Sequence, residues 1–219
     1  FCEYLLSSEE EDKQYASERN AENIKRLVEG AGCIKEIFAQ WAREIDIHKE
    51  KKEDFSNLID EEDLVLVFNY TRTIEELYGI RKNVFHIHGA VDQEGEIVVG
   101  HGNTKEIDDS VDELFPGSCV GLNEIKQELR KKVEKVLKSE PMKDFLLKVK
   151  SGSIQKVFSY GFAYEDVDMT YIEAICSNLP ETAEWLFNDH NSEGVINGFK
   201  QKVREKGFKG KFGKFCIKK

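Results

Sequence analysis

Three of the five histidines of the chain, His86, His88 and His101, lie within sixteen positions of one another. His88 is followed by Gly89, so a ligand could come close to the backbone beside the imidazole. An imidazole exchanges a proton near neutral pH, as a general base must. The pattern predicts His88 as the catalytic base and His86 as a supporting residue one step deeper in the same strand. For His88 taken alone, a structural histidine bonded to a loop is the alternative.

The same histidines also suit a metal ion. His86 and His88 in HxH spacing, together with His101 and an acid such as Asp168, would supply nitrogen and oxygen ligands for zinc or iron. HxH spacing provides two ligands, and no third ligand has a diagnostic separation. We therefore expect a metal-free site and keep a metal-dependent hydrolase or nuclease as an alternative.

The residues before the histidines predict a strand, a turn and a helix. Residues 64–68, LVLVF, form the continuous apolar run typical of a parallel strand covered on both faces. Asn69 and Thr71 follow in the turn, and Thr73 and Glu76 have the spacing of a capping box. Ligands of open α/β sheets bind at the carboxyl ends of strands. Asn69 is therefore predicted to orient a water or a sugar hydroxyl, with an Asx turn as the alternative.

Residues 83–88 predict the next strand. Period-two alternation places His86 and His88 on one face of it, with His88 at its carboxyl end. A turn over residues 91–95 then leads into a short strand over residues 96–99. The histidines should thus lie at the same edge of the sheet as the turn after the first strand.

The order of strand, turn and helix repeats over residues 154–177. A strand over residues 154–160 runs into Gly161, and Asp168 precedes a further helix. If both units belong to one parallel sheet, their turns lie at one edge. We expect Gly161 and Asp168 to form the wall of a cleft opposite His88.

The remaining segments alternate between helical and extended patterns. In chain order they are a polar connector over 7–23, an amphipathic helix over 24–45, an irregular segment over 105–121, helices over 122–137 and from Pro141, a strand over 185–187 and a closing segment over 194–219. This order predicts an α/β fold with a Rossmann-like, largely parallel sheet flanked by helices. Its length fits a single domain, residues 1–219.

Composition excludes several classes of function. Acidic side chains number 42 against 32 basic ones, and the formal charge of −10 argues against a broad nucleic-acid surface. No apolar run approaches the roughly 20 residues that cross a bilayer. The five cysteines are scattered and never in CxxC spacing, which indicates reduced thiols and a cytoplasmic location.

Five motifs in order carry a resemblance to a known family. They are FNYTRTIEELY, HIHG, GHGN, FSYGFAYEDVDMTYIEAI and GFKGKF. In this order and at these separations they resemble bacterial AbiH-type proteins of bacteriophage abortive infection. The resemblance implies antiviral defence. It also implies that a first strand and a glycine-rich turn of the type GNGFD are missing before Phe1, so that this chain alone should be inactive.

AbiH-type proteins are in turn distantly similar to sirtuin-like NAD-binding proteins. By this similarity Asn69 would position the water or ribose, His88 would be the base and Gly161 would approach the dinucleotide. Thr71 stands where many sirtuin-like proteins have an aspartate, and Ala163 stands where a serine would be. The residues expected to contact the nucleotide are Thr71, Gly89, His101, Gly161 and Asp168.

The resemblance implies hydrolysis of NAD or a related nucleotide as the activity. Nicotinamide leaves neutral from a cationic ring, so a base and stabilisation of an oxocarbenium-like ribose suffice. The absence of paired CxxC motifs argues against a zinc-bearing deacylase. The alternative from another class is a sensor that binds a nucleotide or a phage component without turnover. A phage-derived trigger and self-association into a homo-oligomer are further expectations, and no membrane partner is expected.

Overall fold

The computed structural model describes residues 2–92, 97–152 and 154–217, and for residues 2–14, 16, 112 and 114 it describes the backbone. It divides into two compact units. The first comprises residues 1–41 and 99–131, and the second comprises residues 42–98 and 132–219. That the whole chain forms a single domain stays a prediction.

The helices and strands follow in an order that mixes both types. The helices are α1 (Cys2–Arg43), α2 (Glu53–Ser56), α3 (Thr73–Tyr78), α4 (Ser110–Leu114), α5 (Cys119–Glu128), α6 (Val133–Leu137), α7 (Glu140–Ser151), α8 (Met169–Cys176) and α9 (Glu193–Glu205). The strands are β1 (Val65–Val67), β2 (Val84–His86), β3 (Lys156–Ser159), β4 (Glu184–Asn188) and β5 (Lys211–Phe215). A 3-10 turn, Asp166–Asp168, leads directly into α8.

The first unit is built on α1. The prediction of a polar connector over residues 7–23 was wrong, because those residues continue the helix expected from residue 24. They contain neither glycine nor proline, and Glu, Lys, Gln and Ala are strong helix formers. The polar composition therefore indicates a solvated helix rather than a loop.

The helix predicted over residues 122–137 is interrupted. The backbone N–H of His101 donates to Leu129 O at 3.0 Å, and the backbone oxygen of His101 accepts from Lys131 N at 2.9 Å. Arg130 thus forms an isolated parallel bridge with His101. Because these backbone groups are used in the bridge, α5 ends at Glu128.

The strands of the second unit pair in parallel. β1 lies beside β2, with Val67 opposite His86, and β4 lies between β3 and β5. The prediction of an α/β fold with parallel strands flanked by helices is confirmed. A Rossmann-like arrangement stays a prediction, since the strands of the described residues form separate two-stranded and three-stranded sheets.

The strand predicted over residues 96–99 was wrong in its described part. Residues 97–99 have no strand pairing, and Glu96 and most of the preceding turn lie outside the described residues. Val98 N instead donates to His88 O at 2.8 Å. The backbone after the histidines therefore folds back onto His88 without forming a ladder.

The closing segment packs on the core of the second unit. Phe208 is 2% exposed and meets Trp185 edge-on at 5.5 Å between ring centroids. Arg204 donates to Phe208 O at 2.5 Å and to Gly210 O at 3.0 Å, which holds the turn between α9 and β5. The aromatic side chains of this segment thus contribute to the core of the second unit. Among the described residues, none of the helices has the length and apolar character needed to span a bilayer.

Two glycines of this segment should respond oppositely to substitution. A Cβ on Gly210 would lie 1.9 Å from Ala183 O, whereas one on Gly198, inside α9, meets nothing within 4 Å. Gly210→Ala should lower the free energy of unfolding by about 2 kcal/mol or more through backbone displacement. Gly198→Ala should raise it by about 1 kcal/mol through helix propensity. Denaturant unfolding of both variants checks this, and an unchanged midpoint for Gly210→Ala would contradict the packing of β5.

Candidate functional site

The carboxyl ends of β1 and β2 place His88 against the residue that follows β1. His88 Nδ1 lies 3.2 Å from Phe68 O within hydrogen-bond geometry. A carbonyl oxygen only accepts, so Nδ1 carries the hydrogen and donates it. The tautomer of the neutral ring is thereby set, and Nε2 is the nitrogen left for chemistry.

The same imidazole meets a carboxylate from the other strand, turn and helix unit. His88 Nε2 lies 3.3 Å from Asp168 Oδ1, and their side chains are 3% and 14% exposed. The two are within ion-pair distance but not aligned as a hydrogen bond. Because Nδ1 is the nitrogen that donates to Phe68 O, the carboxylate lies beside the other ring nitrogen. The predicted convergence of His88 and Asp168 is present in the structure.

Aromatic rings enclose the imidazole. Tyr70 stacks on His88 at 5.8 Å and 24° between planes, and Phe68 and Tyr171 meet it edge-on at 5.6 Å and 5.8 Å. His88 is 2% exposed in consequence. In this closed arrangement a ligand reaches Nε2 only after a neighbouring group moves.

The two tyrosines are neutral at physiological pH. Burial, followed by the charge of Asp168, raises the pKa of Tyr70 to about 12, and its hydroxyl donates to Val98 O at 2.8 Å. The pKa of Tyr171 is also raised, first by burial and then by the charges of Asp168, Tyr70 and Glu134. Both phenols can therefore donate a hydrogen bond but do not carry charge.

Sequence reasoning missed Tyr70 and Tyr171 as parts of this cluster. Tyr70 lies between Asn69 and Thr71, the two residues of this turn that were predicted to contact the ligand. Tyr171 follows Asp168 by three residues, the spacing that places two side chains on one face of a helix. That spacing was the available signal for Tyr171.

His86 belongs to a separate cluster. Its Nε2 lies 2.8 Å from Glu75 Oε1, and both side chains are nearly inaccessible. Arg72 Nε approaches the same oxygen at 3.6 Å. β2 ends at His86, so the alternation of side chains along the strand does not reach His88. The two histidines therefore contact different carboxylates. His86 contacts Glu75 of α3, and its role as a supporting residue stays a prediction.

Asn69 and Thr71 lie at the turn beside this second cluster. Asn69 is exposed, and its backbone oxygen is 3.5 Å from His86 Nδ1. The Thr71 and Thr73 hydroxyls are 2.9 Å apart. The predicted capping box was wrong: Thr73 is the first residue of α3, and Arg72 at the cap position makes no side-chain cap bond. Thr73 instead uses its hydroxyl on Thr71.

Three further residues predicted to contact the nucleotide, Gly89, Gly161 and His101, have different surroundings. Gly89 and Gly161 adopt positive φ values of 75° and 65°, and a Cβ on Gly161 would meet nothing within 4 Å. This open space leaves room for a ligand close to the backbone. His101 belongs to the first unit, where its Nδ1 accepts from Asn103 N at 3.2 Å. Within the described residues, no group of three or more His, Cys, Asp or Glu side chains could hold a metal ion.

Removing His86 should destabilise the second unit. His86→Ala leaves Glu75 buried with Arg72 as its remaining charged neighbour, and breaking a buried pair costs about 3–5 kcal/mol. Chemical unfolding should show a loss of that size, while His48→Ala, at an exposed histidine, should leave the midpoint unchanged. The double variant His86→Leu with Glu75→Leu should recover much of the loss, since it removes both polar partners. A loss below about 1 kcal/mol for His86→Ala would mean that the pair does not hold α3 on β2.

Comparison with known proteins supports the motif-based resemblance. The family model described as bacteriophage abortive infection AbiH matches residues 2–189, which is well over half of the chain and includes four of the five motifs. No curated protein matches the chain significantly. No solved structure matches it significantly either. With β1 to β4, His88 and Asp168 all inside the matched range, the chain belongs to the AbiH family of bacteriophage abortive infection proteins.

Proposed function

We propose that this AbiH protein defends its host against bacteriophage by hydrolysing NAD or a related nucleotide at the site of His88 and Asp168. Family membership supports the defence role. The observation that carries the enzymatic part is the contact of a buried imidazole with a carboxylate, 3.3 Å from Nε2 to Oδ1. An imidazole within reach of a carboxylate is typical of acid and base sites.

His88 and Asp168 together have the chemical groups that hydrolysis of NAD needs. Water attacks the anomeric carbon of the ribose, and the bond to the pyridinium nitrogen breaks with its electron pair on the departing nicotinamide. The proton of the attacking water passes to the imidazole of His88 as general base. The negative charge of Asp168 stabilises the positive charge that develops on the ribose. No acid is needed, because the leaving group departs neutral.

The other predicted ligand contacts belong to the same proposal. Asn69, exposed at the end of β1, would orient the ribose or the water, and Gly161 would let the dinucleotide approach the backbone. Thr71 and Gly89 would contact the nucleotide beside them, whereas the contact of His101 with it stays a prediction from the sequence. Because His88 is 2% exposed, binding must be accompanied by displacement of an enclosing ring.

A second candidate is a binding module without turnover. The enclosure of His88 by Phe68, Tyr70 and Tyr171 favours it, since a closed imidazole is common in structural histidines. Ala163, which lacks the hydroxyl of sirtuin-like proteins, favours it as well. Thermal stabilisation by NAD without formation of nicotinamide would distinguish this module from the enzyme.

Nicotinamide release from NAD tests the enzymatic proposal. The complete protein should release nicotinamide, and His88→Gln and Asp168→Asn should each lower the rate by about 100-fold or more through loss of the base or the stabilising charge. His48→Ala is the matched control, because this histidine is exposed and its backbone N–H, which the substitution keeps, donates to Asp46 Oδ1. Thermal melting of each variant separates lost chemistry from lost folding. Intact NAD in the presence of the folded wild-type protein, or full activity in His88→Gln, would overturn the proposal.

Phage infection of cells that produce the protein tests the defence role. Plaque formation should fall relative to cells with an empty vector, as expected of the family. His88→Gln should restore plaque formation if the same site causes arrest, whereas His48→Ala should not. Soluble protein levels must be equal in the three strains. Undiminished protection by His88→Gln would separate defence from the His88 site.

A further inference from the structure

Two buried polar atoms of the His88 cluster lack a hydrogen-bond partner within the described part of the chain. They are His88 Nε2 and the Tyr171 hydroxyl. Tyr171 is 0% exposed, and its ring meets the His88 ring at 5.8 Å. Buried polar groups of folded proteins are paired with protein, water or ligand. The two atoms therefore indicate a place where a partner is bound.

The surroundings of these atoms define the chemistry of that partner. Asp168 lies 3.3 Å from His88 Nε2, and the negative charges of Asp168 and Glu134 both act on the Tyr171 hydroxyl. A phosphate in this position would be repelled by two carboxylates. A neutral hydroxyl can accept from the phenol and donate to Nε2 or to the carboxylate.

The aromatic rings add a preference for positive charge. Tyr70 presents its face parallel to the imidazole, and Phe68 and Tyr171 complete the wall. Faces of aromatic rings attract cations, and the attraction grows when water is excluded. A ligand in which a planar, cationic ring is attached to a group with hydroxyls combines these features.

We propose that the Tyr171 hydroxyl and His88 Nε2 bind the ribosyl end of a pyridinium nucleoside, so that the site selects the cationic base and its ribose over phosphate. The proposal rests on the proposed function, because it assigns one end of the same substrate to the His88 site. Tyr171 thereby becomes a substrate-binding residue in addition to His88, Asp168 and Asn69.

The stability of two tyrosine variants without ligand is the first test. Tyr164 is equally buried, but its hydroxyl donates to Ser159 Oγ at 2.7 Å and accepts from Trp185 Nε1 at 3.0 Å. Tyr164→Phe strands the indole N–H and should lower the melting temperature. Tyr171→Phe removes a hydroxyl without a protein partner and should leave the melting temperature equal or higher. An equal drop in both variants would show that Tyr171 is satisfied inside the protein, for instance by a permanently bound water, and would overturn the proposal.

Calorimetric titration with nicotinamide riboside and with AMP is the second test. The riboside is cationic and has no phosphate, whereas AMP has the phosphate and no cation. The wild type should bind the riboside, AMP should not compete, and Tyr171→Phe should weaken riboside binding by about tenfold through loss of one hydrogen bond. Absence of riboside binding, competition by AMP, or equal affinity in Tyr171→Phe would overturn the assignment.

The outcomes for the two proposals are separable. Nicotinamide release from NAD with unchanged KM in Tyr171→Phe would uphold the enzyme and overturn the role of Tyr171. Riboside binding that depends on Tyr171, without release of nicotinamide from NAD, would uphold the binding site and overturn hydrolysis. Tyr164→Phe, compared at a temperature where it is folded, should bind the riboside as the wild type does.

Discussion

The second unit depends on one buried contact between an imidazole and a carboxylate. His88 follows the sheet of β1 and β2, whereas Asp168 ends the turn that leads from β3 into α8. Removing either group would leave the other buried without its polar neighbour, which costs free energy. The contact therefore ties the end of one parallel pair to the helix that follows the other sheet. The aromatic rings around it strengthen the attraction by excluding water.

Much of the second unit was predictable, because its strands are short apolar runs between polar turns. Residues 64–68 and 154–160 were predicted as strands and appear as β1 and β3 with slightly narrower bounds. The convergence of His88 and Asp168 was expected on the premise that both units belong to one parallel sheet. The two residues meet, although the described strands form two separate sheets.

The features that were missed depend on contacts distant in sequence. The interruption of the helix predicted over residues 122–137 arises from the backbone of His101, and no local pattern marks it. Glu75 is one of many acids, and its burial against His86 is visible only in three dimensions. Tyr70 and Tyr171 have the composition of ordinary core residues, so their position around an imidazole could not be read from residue type. Residues 7–23 show the opposite error, in which polar composition concealed a helix.

The two histidines of the HxH motif, one residue apart, contact different carboxylates. His86 is the last residue of β2 and pairs with Glu75, eleven positions earlier, inside its own strand and helix unit. His88 lies beyond the strand and pairs with Asp168, eighty positions later. The first pair is local and forms together with β1, α3 and β2. The second pair forms only when α8 is in its folded position. The contact that would position the base therefore requires the second sheet to be in place. A group that moved α8 by binding at Tyr171 would therefore change the environment of His88 directly, without any intermediate residue.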